Sequence, residues 1–388
     1  MRLSRQFALS ASTLVLLAVT SVGAPLLPED EIRIGVNGYS DSFGVDVFYP
    51  SITAAKRVSD KSAVTGRYLV DAVTSASMQS RLDVDGITSA THTMHGGSST
   101  RFDEVRQEVG LGGAHFFGHT LGSVDLLRST EHDYVSTTLA TAFARTLQRE
   151  NVEIRLGLSR RWDEVSPTTR KWTRPKDVAT LDMSLTQTVH RRGLVQLDFT
   201  HTAMDGQLAD VYQVVAVVEP ENQRVRLLEP RHPSHRSRNA LGARTIWKVG
   251  SDTSVELRYR RYWDSWGIDS DTVHGEVRQR VLGGGVTLGF GLRGYWQGRA
   301  EFFRDAYDGT ERYLTVDSKL DSGHSIEYEF RSTLAGSLVG GFGVFDPDRM
   351  ALESRVQLYR RSTTTPDWHS RREEMTATVV GIGIRYRY

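Results

Sequence analysis

The chain has 388 residues, 39% of them hydrophobic and 24% charged, with a net charge of +1 and no cysteine. The missing cysteines exclude a disulfide scaffold, a zinc–thiolate centre and a thiol nucleophile. The neutral balance gives no electrostatic footprint for nucleic acid. A mean hydropathy of −0.37, with no long uncharged apolar run past the N-terminus, excludes a helical membrane protein.

Residues 1–24 read as an export signal. Arg2 and Arg5 give a positive start, Phe7 to Thr20 an apolar stretch, and Ser21 to Ala24 the small residues a signal peptidase needs. The expected mature chain, 25–388, is thus exported without disulfides, which fits the outer membrane of a Gram-negative bacterium.

From about residue 31 onward the dominant period is two. In Val152-Glu153-Ile154-Arg155-Leu156-Gly157-Leu158-Ser159 one face is aliphatic and the other charged or small. The same pattern recurs over 255–260, 326–331, 195–200 and 286–292. A soluble sandwich would alternate too, but its polar face would normally carry lysine, and this chain has six Lys against 42 Arg. Strands of about 10 to 14 residues have the length a tilted transmembrane strand needs.

Strands are expected near 31–40, 43–57, 63–73, 101–113, 119–131, 135–148, 151–163, 177–190, 193–203, 237–249, 253–264, 270–282, 286–302, 320–334, 350–361 and 375–388. Short connections alternate with longer polar ones near 74–100, 164–176, 204–236, 303–319 and 362–374. The pattern predicts an all-β, transmembrane, antiparallel up-and-down barrel of about 16 strands (14 to 18), with both termini in the periplasm. The stretch 335–349 is too long and Gly-rich for a simple turn.

In the last strand Val380, Ile382, Ile384, Tyr386 and Tyr388 share one face. Such an aromatic C-terminus resembles the signal read by the barrel assembly machinery, which becomes an expected partner alongside outer-membrane lipid and lipopolysaccharide. Tyr134, Trp162, Trp263, Trp266, Tyr295 and Trp296 fit interfacial girdles.

Five segments resemble the outer-membrane β-barrel family known as domain of unknown function 3570. They are Asp71 to Ser77, Ser129 to Ser136, Gly206 to Tyr212, Tyr259 to Ile268 (Tyr-Arg-Arg-Tyr-Trp-Asp-Ser-Trp-Gly-Ile) and Gly294 to Phe303. They follow the family's order over most of the mature chain. The chain departs from the family pattern at Val211, where proline is expected, and in the extra stretch 335–349. The resemblance implies a barrel and leaves the activity open.

Three chemistries follow from the residues. Glu153, Arg155, Glu256, Arg258, Arg260, His274, Glu276, Arg278, Arg280, Glu327, Glu329 and Arg331 would face a lumen, lining a solute path or, if tightly paired, closing it. Asp85 to Thr91 resembles the acceptor motif of extracytoplasmic flavin transferases, with Asp85 opening the motif and Thr91 as the hydroxyl for covalent flavin mononucleotide. Ser89 stands there in place of the usual glycine. His92 and His95, with Asp83 and Asp85, could hold a metal, as could His115 and His119 if helical. Glycines 112, 113 and 118 argue against that helix. No Gly-x-Ser-x-Gly elbow or His-Glu-x-x-His motif occurs, so no catalytic residue is assigned. Small-solute passage or an envelope anchor comes first, a flavin-carrying barrel second, and a hydrolase site on the rim third.

Overall fold

A sheet with one apolar face and two open edges leaves rows of amide and carbonyl groups that a lipid interior cannot solvate. In this computed structural model the edges meet. Glu31–Asp41 (β1) pairs antiparallel with Glu374–Arg387 (β18), from Glu31 opposite Arg387 to Asp41 opposite Ala377. The structure describes residues 26–42, 45–74, 104–147, 151–168, 170–219, 221, 224–340, 345–364 and 374–388.

Between those two strands the wall runs in chain order. It comprises β2 (Asp46–Ser59), β3 (Ser62–Thr74), β4 (Glu104–Phe117), β5 (Thr120–Thr130), β6 (Tyr134–Leu147), β7 (Val152–Val165), β8 (Arg174–His190) and β9 (Gly193–Gly206). A separate two-stranded hairpin, β10 (Val215–Val218) and β11 (Val225–Leu228), interrupts the order. The wall then continues through β12 (His235–Lys248), β13 (Thr253–Asp264), β14 (Asp269–Val281), β15 (Val286–Gln297), β16 (Gly323–Ala335) and β17 (Met350–Thr363). The result is a closed antiparallel barrel of 16 strands, β9 pairing directly with β12.

The pleat sorts the side chains. Ile34, Ile52, Leu111, Leu126, Ile154, Leu197, Leu257, Phe290, Phe330, Leu358 and Ile382 are exposed on the outer face. Their sequence neighbours, carrying the ions, point the other way, as period two requires. A small apolar cluster joins Leu27, Ala63 and Leu121 at the end that holds the termini, and two larger ones lie where the long connections gather. Val215, Val217, Tyr307, Leu314 and Val316 form one, and Trp266, Ile268, Ala300, Phe303 and Leu320 another.

Two expected boundaries shift for physical reasons. The alternation of 286–302 reads as one strand, but β15 stops at Gln297. Gly298 donates to Asp269 O and Ala300 to Leu320 O, and Ala300 and Phe303 are buried in the second cluster. Burial of two apolar groups in the loop draws the chain off the wall. Within 335–349 the described residues include a short helix, α1 (Gly336–Val339), and a 3₁₀ turn at Pro347–Arg349. Gly206, the last residue of β9, has φ +105°. A Cβ there would strike the Pro175 carbonyl, so only glycine lets the chain leave the wall at that angle.

Candidate functional site

Arginine and glutamate two residues apart on one strand share a face, and neighbouring strands bring a second pair alongside. On β13 and β14 this builds a ladder. Glu256 accepts from Arg244 of β12 at 2.8 Å, pairs with Arg258 and lies 3.9 Å from Arg278 of β14. Arg278 also donates to Glu276 at 2.5 Å. On β16 Arg331 pairs with Glu329, while Gln357 of β17 donates to Glu327 at 3.1 Å and to Glu329 at 2.8 Å. Arg293 of β15 sits 3.7 Å from Glu327. His274 has Arg258, Glu256 and Glu276 as charged neighbours, and Arg260 has Arg293 and Asp182.

The predicted ionic residues of β13 to β16 therefore form one belt on the inner face. Arg280 lies at the end of the belt, 3.9 Å from Asp252 in the short connection before β13. Glu153 and Arg155 sit on the same face of β7, separated from β13 by β8, β9 and β12. The belt is not sealed. The side chains of Arg258, Arg278 and Arg331 keep 46%, 41% and 47% of their surface exposed.

A second inner cluster lies on β3 and β4, outside the lumen residues expected from the sequence. Arg67 and Asp71 of β3 meet Arg106 and Glu108 of β4, all nearly buried. Glu108 lies 3.1 Å from Arg67 and 2.6 Å from Arg106, which reaches Asp71 at 3.6 Å. The signal is the same alternation, Arg-x-x-x-Asp facing Arg-x-Glu. Asp71 opens the segment Asp71 to Ser77 and is here an ion-pair partner.

The end of the barrel opposite the termini is organised by Asp264, the last residue of β13. Its carboxylate accepts from the backbone of Trp266 (2.9 Å) and Ile268 (3.1 Å) in the following turn, from the Tyr262 hydroxyl (2.6 Å) and from Arg236 Nε (2.9 Å). Fully buried, it needs all four donors. The Arg236 guanidinium in turn stacks 4.2 Å over Trp266, whose indole N–H donates to His235 O. Segment 298–322 lies across this mouth. Gln297 donates to Lys319 O at 2.8 Å, Arg361 of β17 to Ser318 Oγ at 3.0 Å, and Thr364 Oγ1 to Asp321 at 3.0 Å.

Beneath this cover is a cavity of about 320 Å³, reached by inner-face residues of β8, β9, β12, β13, β15, β16 and β17. His232 borders it, its ring against Trp266 and Phe302, and burial pushes its pKa down to about 4. Of the residues that shape this cavity, Trp266 and Tyr295 stood out in the sequence as girdle aromatics, and Leu208, Tyr262, Ile268 and Gln297 fell within the resembling segments.

That girdle reading holds for half its members. Trp162, Trp263 and Trp296 are exposed on the outer face. Trp266 is buried in the mouth, Tyr295 lines the cavity, and Tyr134 turns inward to donate to Asp163. Position near a strand end does not tell inside from outside; the parity of the residue on its strand does. Val380 and Ile382 lie on the outer face, Ile384 and Tyr386 keep its parity, and all four pair with Gly38, Val36, Ile34 and Ile32 across the closing seam. The Tyr388 hydroxyl donates to Ala55 O at 3.0 Å. His115 is on β4, bonded to Ser62 at 2.8 Å, and His119 is exposed in the turn after it. Asp83, Asp85, Thr91, His92 and His95, like the export signal, lie outside the described residues. No group of three or more metal-ligating side chains occurs among the described residues.

Residues 169–363, half of the chain, match the model of the family described as Protein of unknown function (DUF3570), and the chain belongs to that family. The match takes in three of the five resembling segments, those beginning at Gly206, Tyr259 and Gly294. No curated protein matches by sequence. Among solved structures, a bacterial polysaccharide outer membrane secretin superposes with a TM-score of 0.51 at 5% identity, covering 93% of this chain and 99% of that one. The siderophore receptor PirA from Pseudomonas aeruginosa gives 0.48 at 10% identity over 92% of this chain and 62% of the receptor. OpdK with vanillate, also from Pseudomonas aeruginosa, gives 0.43 at 7% identity over 92% and 98%. At these identities the likeness is of fold, and the fold is that of outer-membrane barrels.

Proposed function

We propose that this family member is a passage protein for small solutes, with an inner wall that favours anions. The observation that carries the reading is the half-exposed arginine belt. Arg258, Arg278 and Arg331 are paired yet keep over 40% of their side-chain surface accessible, as a wall bordering water would. A lumen cross-linked shut would bury both partners of each pair, their mutual attraction and hydrogen bonds offsetting the desolvation cost. Arginine outweighs carboxylate on the inner face of β12 to β17, and charged walls select permeants by sign. On this reading the long connections face outward from the cell and the termini face the periplasm. Lipid and lipopolysaccharide cover the aliphatic face, and the outer-face row of β18 serves the assembly machinery.

The test is conductance of the purified, folded protein in planar bilayers. Stepwise currents are expected, with a reversal potential favouring chloride over potassium in a salt gradient. Folded protein that neither conducts nor lets small solutes swell liposomes would leave the anchor role in place of passage.

A further inference from the structure

The cavity under segment 298–322 is bordered by two guanidinium groups, Arg238 and Arg361, that form no salt bridge with a carboxylate among the described residues. Arg238 of β12 has no hydrogen-bond partner at Nε. The carboxylate acting on it is Asp264, which already holds Arg236, while Arg236 and Arg161 oppose its charge. Arg361 is 8% exposed, meets only the neutral Ser318 hydroxyl, and also leaves Nε without a partner. Withdrawing a cation from water without an anion is costly, and here a buried arginine, Arg361, and a half-buried one, Arg238, border one space. Arg293, held only loosely by Glu327, lines it as well.

The rest of the lining is mixed: Lys176, Arg236, Lys319 and Asp317 add further charge, and aromatic and apolar side chains stand beside them. Tyr295 and Tyr359 present rings, and Met204, Leu208 and Ile268 add apolar surface. Aromatic and apolar surface beside an excess of cations, in a volume near the lower end of small-molecule sites, suits a ligand with an apolar body and one negative end. The planar guanidinium fork matches a carboxylate in two-point contact.

We propose that this cavity is a binding site for a small organic carboxylate with a ring or apolar body, its carboxylate between Arg238 and Arg361. The site would be a selection point on the path, so its meaning for transport rests on the passage reading, although binding itself does not. The experiment is therefore run on detergent-solubilised full-length protein by titration calorimetry, with benzoate, benzamide, acetate and inorganic phosphate as probes. Benzoate is expected to bind at least tenfold tighter than acetate or phosphate, and neutral benzamide not at all. Arg238→Gln and Arg361→Gln should each weaken benzoate about tenfold or more, the scale of a lost charge-assisted hydrogen bond. Arg360→Gln, altering the outer-face neighbour, should leave binding unchanged.

Stability supplies a second readout. Since Arg238 has only a share in Asp264, which already holds Arg236, Arg238→Gln should unfold at the same or higher denaturant, and benzoate should stabilise the wild type but not this variant. Equal binding of benzoate and benzamide, equal binding of benzoate and phosphate, absence of any binding, or a destabilised Arg238→Gln that still binds benzoate fully would each overturn the proposal. A bilayer that fails to conduct, with benzoate binding intact, would instead remove the passage reading alone.

Discussion

Placing an arginine on the outer face asks directly which solvent the wall meets. Leu257 lies mid-strand on β13, 55% exposed, opposite Thr245 and Gly275. Four residues further along the same face, Arg261 pairs with Asp269 and Asp271 at 2.6 Å, which marks where polar surroundings begin. At about 3.3 Å per residue and a tilt near 40° those four residues span roughly 10 Å along the barrel axis. That compares with a half-height of about 12 Å for the apolar band of such barrels. Leu257 is therefore at the band's centre.

An arginine there should cost about 2–4 kcal/mol if the band is in lipid. On a water-exposed surface the same change would stay within about 0.5 kcal/mol. The assay is reversible guanidinium unfolding from phospholipid vesicles, followed by tryptophan fluorescence. Ser40→Arg, on the outer face at the loop end of β1, is the matched control and should cost less than about 1 kcal/mol. If Leu257→Arg were as stable as the wild type, or no costlier than Ser40→Arg, the outer face would not be in lipid and the reasoning would fail.

The buried inner cluster should behave unlike an exposed pair. Glu108→Gln removes the carboxylate that Arg67 and Arg106 share, leaving Asp71 and Glu131 at 3.6 and 3.9 Å from Arg106, so a loss of about 3–5 kcal/mol is expected in the same unfolding assay, insensitive to salt. Glu374→Gln, which breaks the exposed pair with Arg360 at the rim, should cost under about 1 kcal/mol; equal losses would contradict this account. The mouth should loosen in acid. The ring nitrogens of half-buried His232 are enclosed and its pKa is near 4, desolvation outweighing the pull of Asp317 and Asp210, and Arg236 adding to the depression. Between about pH 6.5 and 4 an opened mouth therefore binds a proton that the closed one does not. Closure weakens as pH falls, by up to about 3 kcal/mol. Amide exchange at Val217 and Leu314, corrected for intrinsic rates, should quicken across that window and lose its pH dependence in His232→Gln. Protection that is unchanged or rises on acidification would show that His232 does not tie the mouth.

The period-two pattern carried the wall because it is local. Each strand states its own inner and outer face, so Glu256, Arg258, Glu276, Arg278, Glu327, Glu329 and Arg331 could be assigned to one face without knowing which strands are neighbours. The same logic extends to Arg67, Asp71, Arg106 and Glu108, which needed only to be looked for. The end of β15 could not be read this way, because the alternation continues through Arg299, Ala300 and Glu301 while distant Leu320 and Trp266 take the chain off the wall.

By itself, then, the sequence determined a closed barrel, its strand order and the parity of nearly every wall residue, since these follow from spacing along the chain and from the need to satisfy every backbone group in lipid. The tertiary structure alone decided what fills the mouth. Asp264 gathers donors from β12, β13 and the next turn, and Arg238 and Arg361 come to share one cavity from positions 123 residues apart. No periodicity encodes such a meeting, because it depends on barrel closure and on where the two long connections come to rest.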